Sequence, residues 1–399
     1  MTGRPAAGEA PAEVRRARAW LSRAVEPGSV ATWRFLEQAG PVAAVAALRA
    51  GTAPPAVQAL VGARAGADAS GEDLQRAGRC GARLVVPEDA EWPAQALHCL
   101  TVASSAGGQD AARDRTLTLV PPLALWVRGQ RPLADVVDRS VALVGARAST
   151  AYGEHVAAEL AHGLGERNWT TVSGGAFGID AAAHRGALAA GAPTVAVLAC
   201  GVDRAYPAAH SALFARVLDA GLLVSEWPPG CAPMRHRFLV RNRLIAALTR
   251  GTVVVEAAAR SGAQATAHRA RDLGRPVMAV PGPVTSAMSV GCHQLIRDTE
   301  RGALLVTSAA DVLEAVGRFG EDLAPPAERP VQARDSLSDV ARRVLDACPV
   351  RAGVPPERLA AVAGCTVLDV LRVLPALELA ELVEWTGTGW RVTSTASSG

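Results

Sequence analysis

Aromatic side chains are scarce in this chain, at 4% of its 399 residues. The abundant alanine, glycine and arginine are the usage of a GC-rich coding genome rather than the mark of any one function. Cysteine is also sparse. Cys80, Cys99, Cys200, Cys231, Cys292, Cys348 and Cys365 are odd in number, scattered and never spaced as C-x-x-C. That argues against a disulfide framework or a cysteine metal site and points to reduced, buried thiols in a cytoplasmic protein. No run of 18 apolar residues occurs, so no membrane span is expected. The start, MTGRPAAGEAPAEVRR, lacks the apolar stretch and cleavage pattern of a secretory signal. Charge of one sign is missing too: 41 basic against 38 acidic residues leave +3. Any electrostatic footprint for a nucleic acid must therefore be local. About half the residues are apolar (49%), enough for a sizeable core, and the length suggests two or three domains.

Residues 12–50 have the spacing of short helices, with Val14, Ala17, Trp20 and Leu21, then Trp33, Leu36 and Ala39 after the Pro27-Gly28 break. These apolar positions are expected to pack a small helical module spanning residues 1–80. Two short strands are expected at Arg83–Pro87 and Leu123–Gly129, separated by a Ser/Gly/Asp-rich loop at 104–113. From residue 140 to about 318, apolar runs of a few residues alternate with helical segments. The runs are 141–144, 171–172, 194–198, 222–224, 251–255, 276–280 and 304–306. Without polar alternation they read as strands covered on both faces. The intervening helices are expected at 152–167, 179–190, 208–219, 241–248, 263–273 and 291–298. The fold class is thus α/β: a Rossmann-like, doubly wound parallel sheet within residues 81–320. A Pro-rich linker (321–335) leads to residues 336–399, where three helices and a hairpin outline a winged helix.

Four turns carry the chemistry. In the first, Gly145-Ala146-Arg147-Ala148-Ser149-Thr150, Gly145 is expected to let the backbone approach a bound group. Ser149 or Thr150 would cap the next helix, and Arg147 offers a fork suited to phosphate. The turn is not G-x-G-x-x-G and carries no Walker lysine. The second, Ser173-Gly174-Gly175-Ala176-Phe177-Gly178-Ile179-Asp180, forms a nest of backbone donors for an anion. Phe177 is expected to anchor this loop to the core, with base stacking as the alternative. Asp180 and His184 share a helix face, but no third ligand lies nearby; a capping carboxylate and a packed imidazole are expected rather than a metal site.

The third segment, Met234 to Arg243, gathers Arg235, His236, Arg237, Arg241 and Arg243 around Phe238. With a helix opening at Arg241-Asn242-Arg243, basic side chains would oppose the macrodipole and call for a compensating polyanion. Phe238 would stack a base beside it. In the fourth, Glu256 to Thr266, the strand-end carboxylate Glu256 is expected to orient Arg241 or Arg243, next to Ser261-Gly262.

Taken together these segments resemble the DNA-processing protein A (DprA/Smf) family. The shared run comprises Gly145-Ala146-Arg147, Ser173-Gly174, Gly178-Ile179-Asp180, Ala183-His184, Tyr206-Pro207, Ser225-Glu226, Arg241-Asn242-Arg243, Val255-Glu256-Ala257, Ser261-Gly262 and Val280-Pro281-Gly282. The resemblance implies no catalytic residue, no metal and no cofactor. It implies a single-stranded-DNA binder that protects the strand and helps load the recombinase RecA in natural transformation, acting as a homodimer. Its groove would use Arg147, Ser149, the Ser173–Gly178 loop with Gly174, Gly175 and Phe177, then Arg237, Phe238, Arg241, Asn242, Arg243, Ser261 and Gly262, supported by Gly145, Asp180 and Glu256. Two other readings stand beside it. A related Rossmann-like hydrolase of nucleoside monophosphates would carry a Pro-Gly-Gly-x-Gly-Thr loop with a following Glu; here Pro281-Gly282-Pro283 stands elsewhere in the order. A duplex-DNA regulator would read through the helix at 367–379, which holds one basic residue, Arg372.

Overall fold

Apolar runs too short for buried helices become strands here because helices cover both of their faces. The computed structural model describes residues 8–106, 119–318, 322 and 337–393. Two compact units separate at Ala324/Pro325. Of the expected 321–335 linker all but residue 322, and residues 107–113 of the expected loop, lie outside the described residues.

The first unit opens with helices α1 (Ala12–Ala24), α2 (Val30–Ala39), α3 (Pro41–Ala50), α4 (Pro55–Val61) and α5 (Ser70–Arg79). Ser29 caps α2 by accepting from the Thr32 amide. Trp20, Leu21, Leu36, Leu48, Val57 and Val61 form the core of this helical layer. There follow β1 (Ala82–Val85), α6 (Ala94–Ala106), β2 (Leu125–Arg128), α7 (Leu133–Asp138), β3 (Ser140–Val144), α8 (Ala151–Glu166), β4 (Thr170–Ser173), α9 (Ile179–Ala189) and β5 (Thr194–Leu198). The unit continues with α10 (Ser211–Ala220), β6 (Leu222–Ser225), α11 (Arg235–Leu248), β7 (Thr252–Val254), α12 (Gly262–Asp272), β8 (Val277–Ala279), α13 (Val290–Arg297), β9 (Leu304–Leu305) and α14 (Ala309–Val316).

All nine strands form one sheet in the order β1-β2-β6-β5-β4-β3-β7-β8-β9. From β6 to β9 every pairing is parallel. The two strands expected before the domain join the same sheet, β1 antiparallel to β2 and β2 antiparallel to β6. Burial alternates as a doubly covered sheet requires: Ala142 and Val144 pack with Leu244–Leu248 of α11, while Val141 and Leu143 pack with Leu160 and Leu164 of α8.

Strand order reverses between β3 and β7, so their carboxyl ends flank the crevice where open α/β sheets receive ligands. The expected helix at 241–248 is longer than its apolar stretch. It begins at Arg235, which places Arg241–Arg243 in its middle rather than at its positive end.

The second unit holds α15 (Asp339–Ala347), α16 (Pro356–Ala363), α17 (Val367–Leu379) and the hairpin β10 (Val383–Trp385) with β11 (Trp390–Val392). Val344, Leu345, Leu359, Val370, Leu374 and Leu377 fill its core. Thr366 and Asp369 form a reciprocal capping box at the start of α17. Among the described residues no single helix is long and apolar enough to cross a membrane.

Candidate functional site

The carboxyl end of β3 turns sharply into α8. Thr150 caps that helix by accepting from the Gly153 amide, while Ser149 donates to Glu154. Gly145 has a different role from the expected one. A side chain there would collide with Ile179, so this glycine lets the first turn pack on α9 rather than on a bound group. Glu256 likewise does not orient Arg241 or Arg243. One of its oxygens accepts the Thr150 amide at 2.9 Å and the other the Thr150 hydroxyl. Gly153 leaves room for this carboxylate.

The glycine loop after β4 is held from below. The Ser173 hydroxyl is buried and donates to Leu143 O, so it is not a surface ligand. Asp180 accepts the amides of Gly174 and Ala176, each at 3.2 Å. The anion that this nest holds is therefore the chain's own carboxylate. Gly178 adopts φ +73°, a left-handed conformation that favours glycine. Its Cα faces the carbonyls of Ala146 and Arg147, which brings the first two turns into contact.

Arg241 lies beneath this loop, 4% exposed, and donates to Val197 O. Its guanidinium fills the space a side chain on Gly174 would need. Burial pushes Arg241 down to about 10, against the opposing pull of Asp180. Burial also raises Asp180, an effect that Arg241 resists. The two charges lie under the same loop, Asp180 holding its amides and Arg241 held by Val197 O. His184 packs under the same region; burial pushes its imidazole down to about 3, so it is neutral near pH 7, and its Nδ1 meets the Thr194 hydroxyl at 2.7 Å.

Arg243 is more deeply buried, 1% exposed, and pairs with Glu226 at 2.6 Å. Burial raises Glu226 and Arg243 opposes it. Arg237 is buried as well, bonded to Ala232 O and to Glu26. Arg241 and Arg243 are thus held beneath the surface, Arg241 by a backbone carbonyl and Arg243 by Glu226, and Arg237 is buried against Glu26. The physical reason is their position along α11: Arg241 and Arg243 lie in its buried middle, and Arg237 in its first turn packs on the N-terminal helical layer at Glu26. Asn242 ties α11 to the start of α12 through Gly262 O at 3.3 Å, beside half-buried Ser261 and exposed Gly262.

What remains on the surface of this rim is an aromatic and cationic platform. Arg147 is exposed, and its Cζ lies 5.2 Å from the Phe238 ring centroid. Tyr206, 45% exposed, also meets that ring, tilted, with centroids 5.7 Å apart. Phe177 was expected to anchor the loop inward; instead it is 47% exposed and stands edge-on to His210 at 4.6 Å. His210 is itself held by Gly175 O at 3.0 Å. Tyr206 is the residue that motif reasoning missed as a contact. Its position in the loop after β5, at the carboxyl edge of the sheet, is the signal that marks it. Exposed Arg204 and Arg260 in loops, and Arg235 at the start of α11, add further positive charge. Every basic side chain of this chain apart from histidine is arginine, and arginine both stacks on rings and forks onto phosphate. Among the described residues no group of three or more His, Cys, Asp or Glu could hold a metal ion.

Comparisons with known proteins converge on one family. The family model described as DNA recombination-mediator protein A matches residues 83–317. The chain is 48% identical over 377 residues to DNA processing protein DprA of Mycobacterium tuberculosis, covering 94% of each. It is 38% identical over 265 residues to protein Smf of Escherichia coli, covering 65% of this chain and 68% of Smf. Among solved structures, the X-ray structure of DprA from Streptococcus pneumoniae superposes with TM-score 0.61 at 29% identity, covering 78% of this chain and all of that one.

Proposed function

The chain belongs to the DNA recombination-mediator protein A family, and from that premise we propose that its sheet rim binds single-stranded DNA. The observation that carries this reading is the platform of Arg147, Phe238 and Tyr206 at the strand-order reversal, with Phe177 exposed on the adjoining loop. Unpaired bases offer faces for stacking, which a duplex hides, and arginine forks suit the intervening phosphates. Residues 81–320 carry this activity, with the helices of residues 1–80 as an accessory module. The bound strand is protected and passed to RecA in the cytoplasm, with binding rather than catalysis as the activity.

Two further features of the protein fit this role. Edge strand β9 exposes Leu304 and Leu305, a template for pairing in a homodimer. The C-terminal unit reads as a winged helix of residues 336–399 whose α17 exposes Leu368 and Leu371. With Arg372 as its one cationic residue, α17 suits a protein contact better than a major groove. A salt-titrated comparison of single-stranded and duplex oligonucleotides of equal length tests the central reading. Tighter, salt-dependent binding of the single strand is expected; equal affinity for both forms would refute it.

A further inference from the structure

The helical layer of residues 12–79 meets the core at the tip of α11, beside the platform. There Glu26 faces a ring of donors from three elements. Its carboxylate accepts Arg237 Nη2 at 2.6 Å and Trp227 Nε1 at 3.0 Å. His236 Nε2 lies 3.8 Å away and Arg64 Nη1 4.0 Å away. Burial pushes the Glu26 carboxyl up, but the bonds from Arg237 and Trp227 outweigh it and hold it below its usual range.

This carboxylate stands at the wall of a cleft of about 300 Å³ between the two layers, lined among others by Trp20, Arg23, Arg64, Trp227 and Arg237. Arg23 is committed to Asp73 through two nitrogens. Arg64 and Arg237 therefore face one shared carboxylate, and positive charge exceeds negative even with His236 neutral. Arg237, although buried, keeps its Nε without a hydrogen-bond partner. Arg64 is half exposed; it reaches Glu26 through Nη1 while its Nη2 donates to Leu60 O at 3.2 Å. Phe238 of the platform is the next residue on α11 after Arg237, about 100° round the helix; Phe238 meets Arg147 while Arg237 meets Glu26. A strand leaving the platform crosses only a helix width, about 10 Å, to reach the cleft.

We propose that this cleft is a second phosphate subsite for the same strand, in which Glu26 holds the position that a backbone phosphate takes over on binding. The proposal rests on the single-strand reading of the platform and gives the N-terminal helices a part in it. A purely structural Glu26 would only steady α11, and its loss would weaken binding. A carboxylate that competes with phosphate has the opposite signature.

The test uses the full chain, a labelled oligothymidylate and fluorescence anisotropy across a salt series. Glu26→Gln keeps a hydrogen-bond acceptor and removes the competing charge. It should tighten binding by about three-fold, the scale of one partly exposed charge pair, and steepen the salt dependence. Arg64→Ala should weaken binding by about three-fold and flatten the slope by up to about 0.7, the share of one phosphate contact on a single strand. Unchanged or weaker binding by Glu26→Gln overturns the proposal. Should Glu26→Gln unfold, as judged by thermal melting, half-exposed Arg64 decides alone, and unchanged affinity of Arg64→Ala overturns it. Phe238→Ala separates the two levels. If it abolishes binding while both cleft variants behave as wild type, only the subsite falls; if it too has no effect, the platform reading falls.

Discussion

The guanidinium of Arg147 lies 5.2 Å from the ring centroid of Phe238, although the two stand 91 positions apart in the chain. Arg147 leaves the carboxyl end of β3, and Phe238 stands on the first turn of α11. The contact joins a cation and a stacking surface, so under the proposed single-strand reading both would meet the same stretch of ligand.

Phe238→Ala should therefore weaken single-strand binding by about ten-fold or more, since losing one base–aromatic stack costs about 1–3 kcal/mol. Arg147→Ala should weaken it too and lower the salt slope by about 0.7. Anisotropy titrations at several salt concentrations measure both. A Phe238→Tyr variant preserves the ring face and should bind nearly as wild type does.

Gly174 and Arg241 make a second pair. A methyl group on Gly174 would occupy the space of the buried guanidinium. Gly174→Ala should destabilise the protein by about 1–3 kcal/mol through overpacking and displace the loop that carries Phe177. Denaturant melts and binding should both report the defect. Gly191→Ala provides the contrast: unlike Gly174 it has a positive φ (+67°), but nothing lies within 4 Å of its added Cβ, so the protein should lose some stability while binding stays unchanged.

Arg243 should behave as a structural residue. Arg243→Met strands the buried Glu226 carboxylate, at a cost of about 3–5 kcal/mol. Replacing both partners, as Arg243→Met with Glu226→Leu, should recover most of that loss. The salt slope of the refolded double variant should match wild type. A flattened slope would show instead that Arg243 reaches phosphate.

His184 links stability to pH. Its folded-state value of about 3 lies below the ordinary 6.5, so the unfolded chain binds more protons as pH falls. The contribution is fully present above pH 6.5 and is lost progressively between 6.5 and 3. Between pH 6.5 and 5 the loss is about 2 kcal/mol. His184→Gln, which cannot take up the proton, should show a flatter decline in melting temperature over that range. Parallel curves would sink this assignment.

Much of this protein was already written in its linear order. Seven apolar runs became seven parallel strands, six of them buried throughout, because uninterrupted valine, leucine and alanine favour cover on both faces; edge strand β9 alone among them is exposed. The glycines at 174 and 178 and the cap at Thr150 sat where strand-to-helix turns demanded them, since backbone conformation and capping are local matters. The fate of the charges was not local. Arg147 and Arg241 look alike in sequence, yet one lies on the surface beside a ring and the other beneath a loop. The nest at Gly174 looked open until Asp180 was seen to fill it. Glu256 capped Thr150, and Arg243 found Glu226. Which charges are desolvated and paired, and which stay free for a ligand, depends on distances set only when the sheet and its helices close. Local propensity carries no record of those distances; tertiary packing alone decided them.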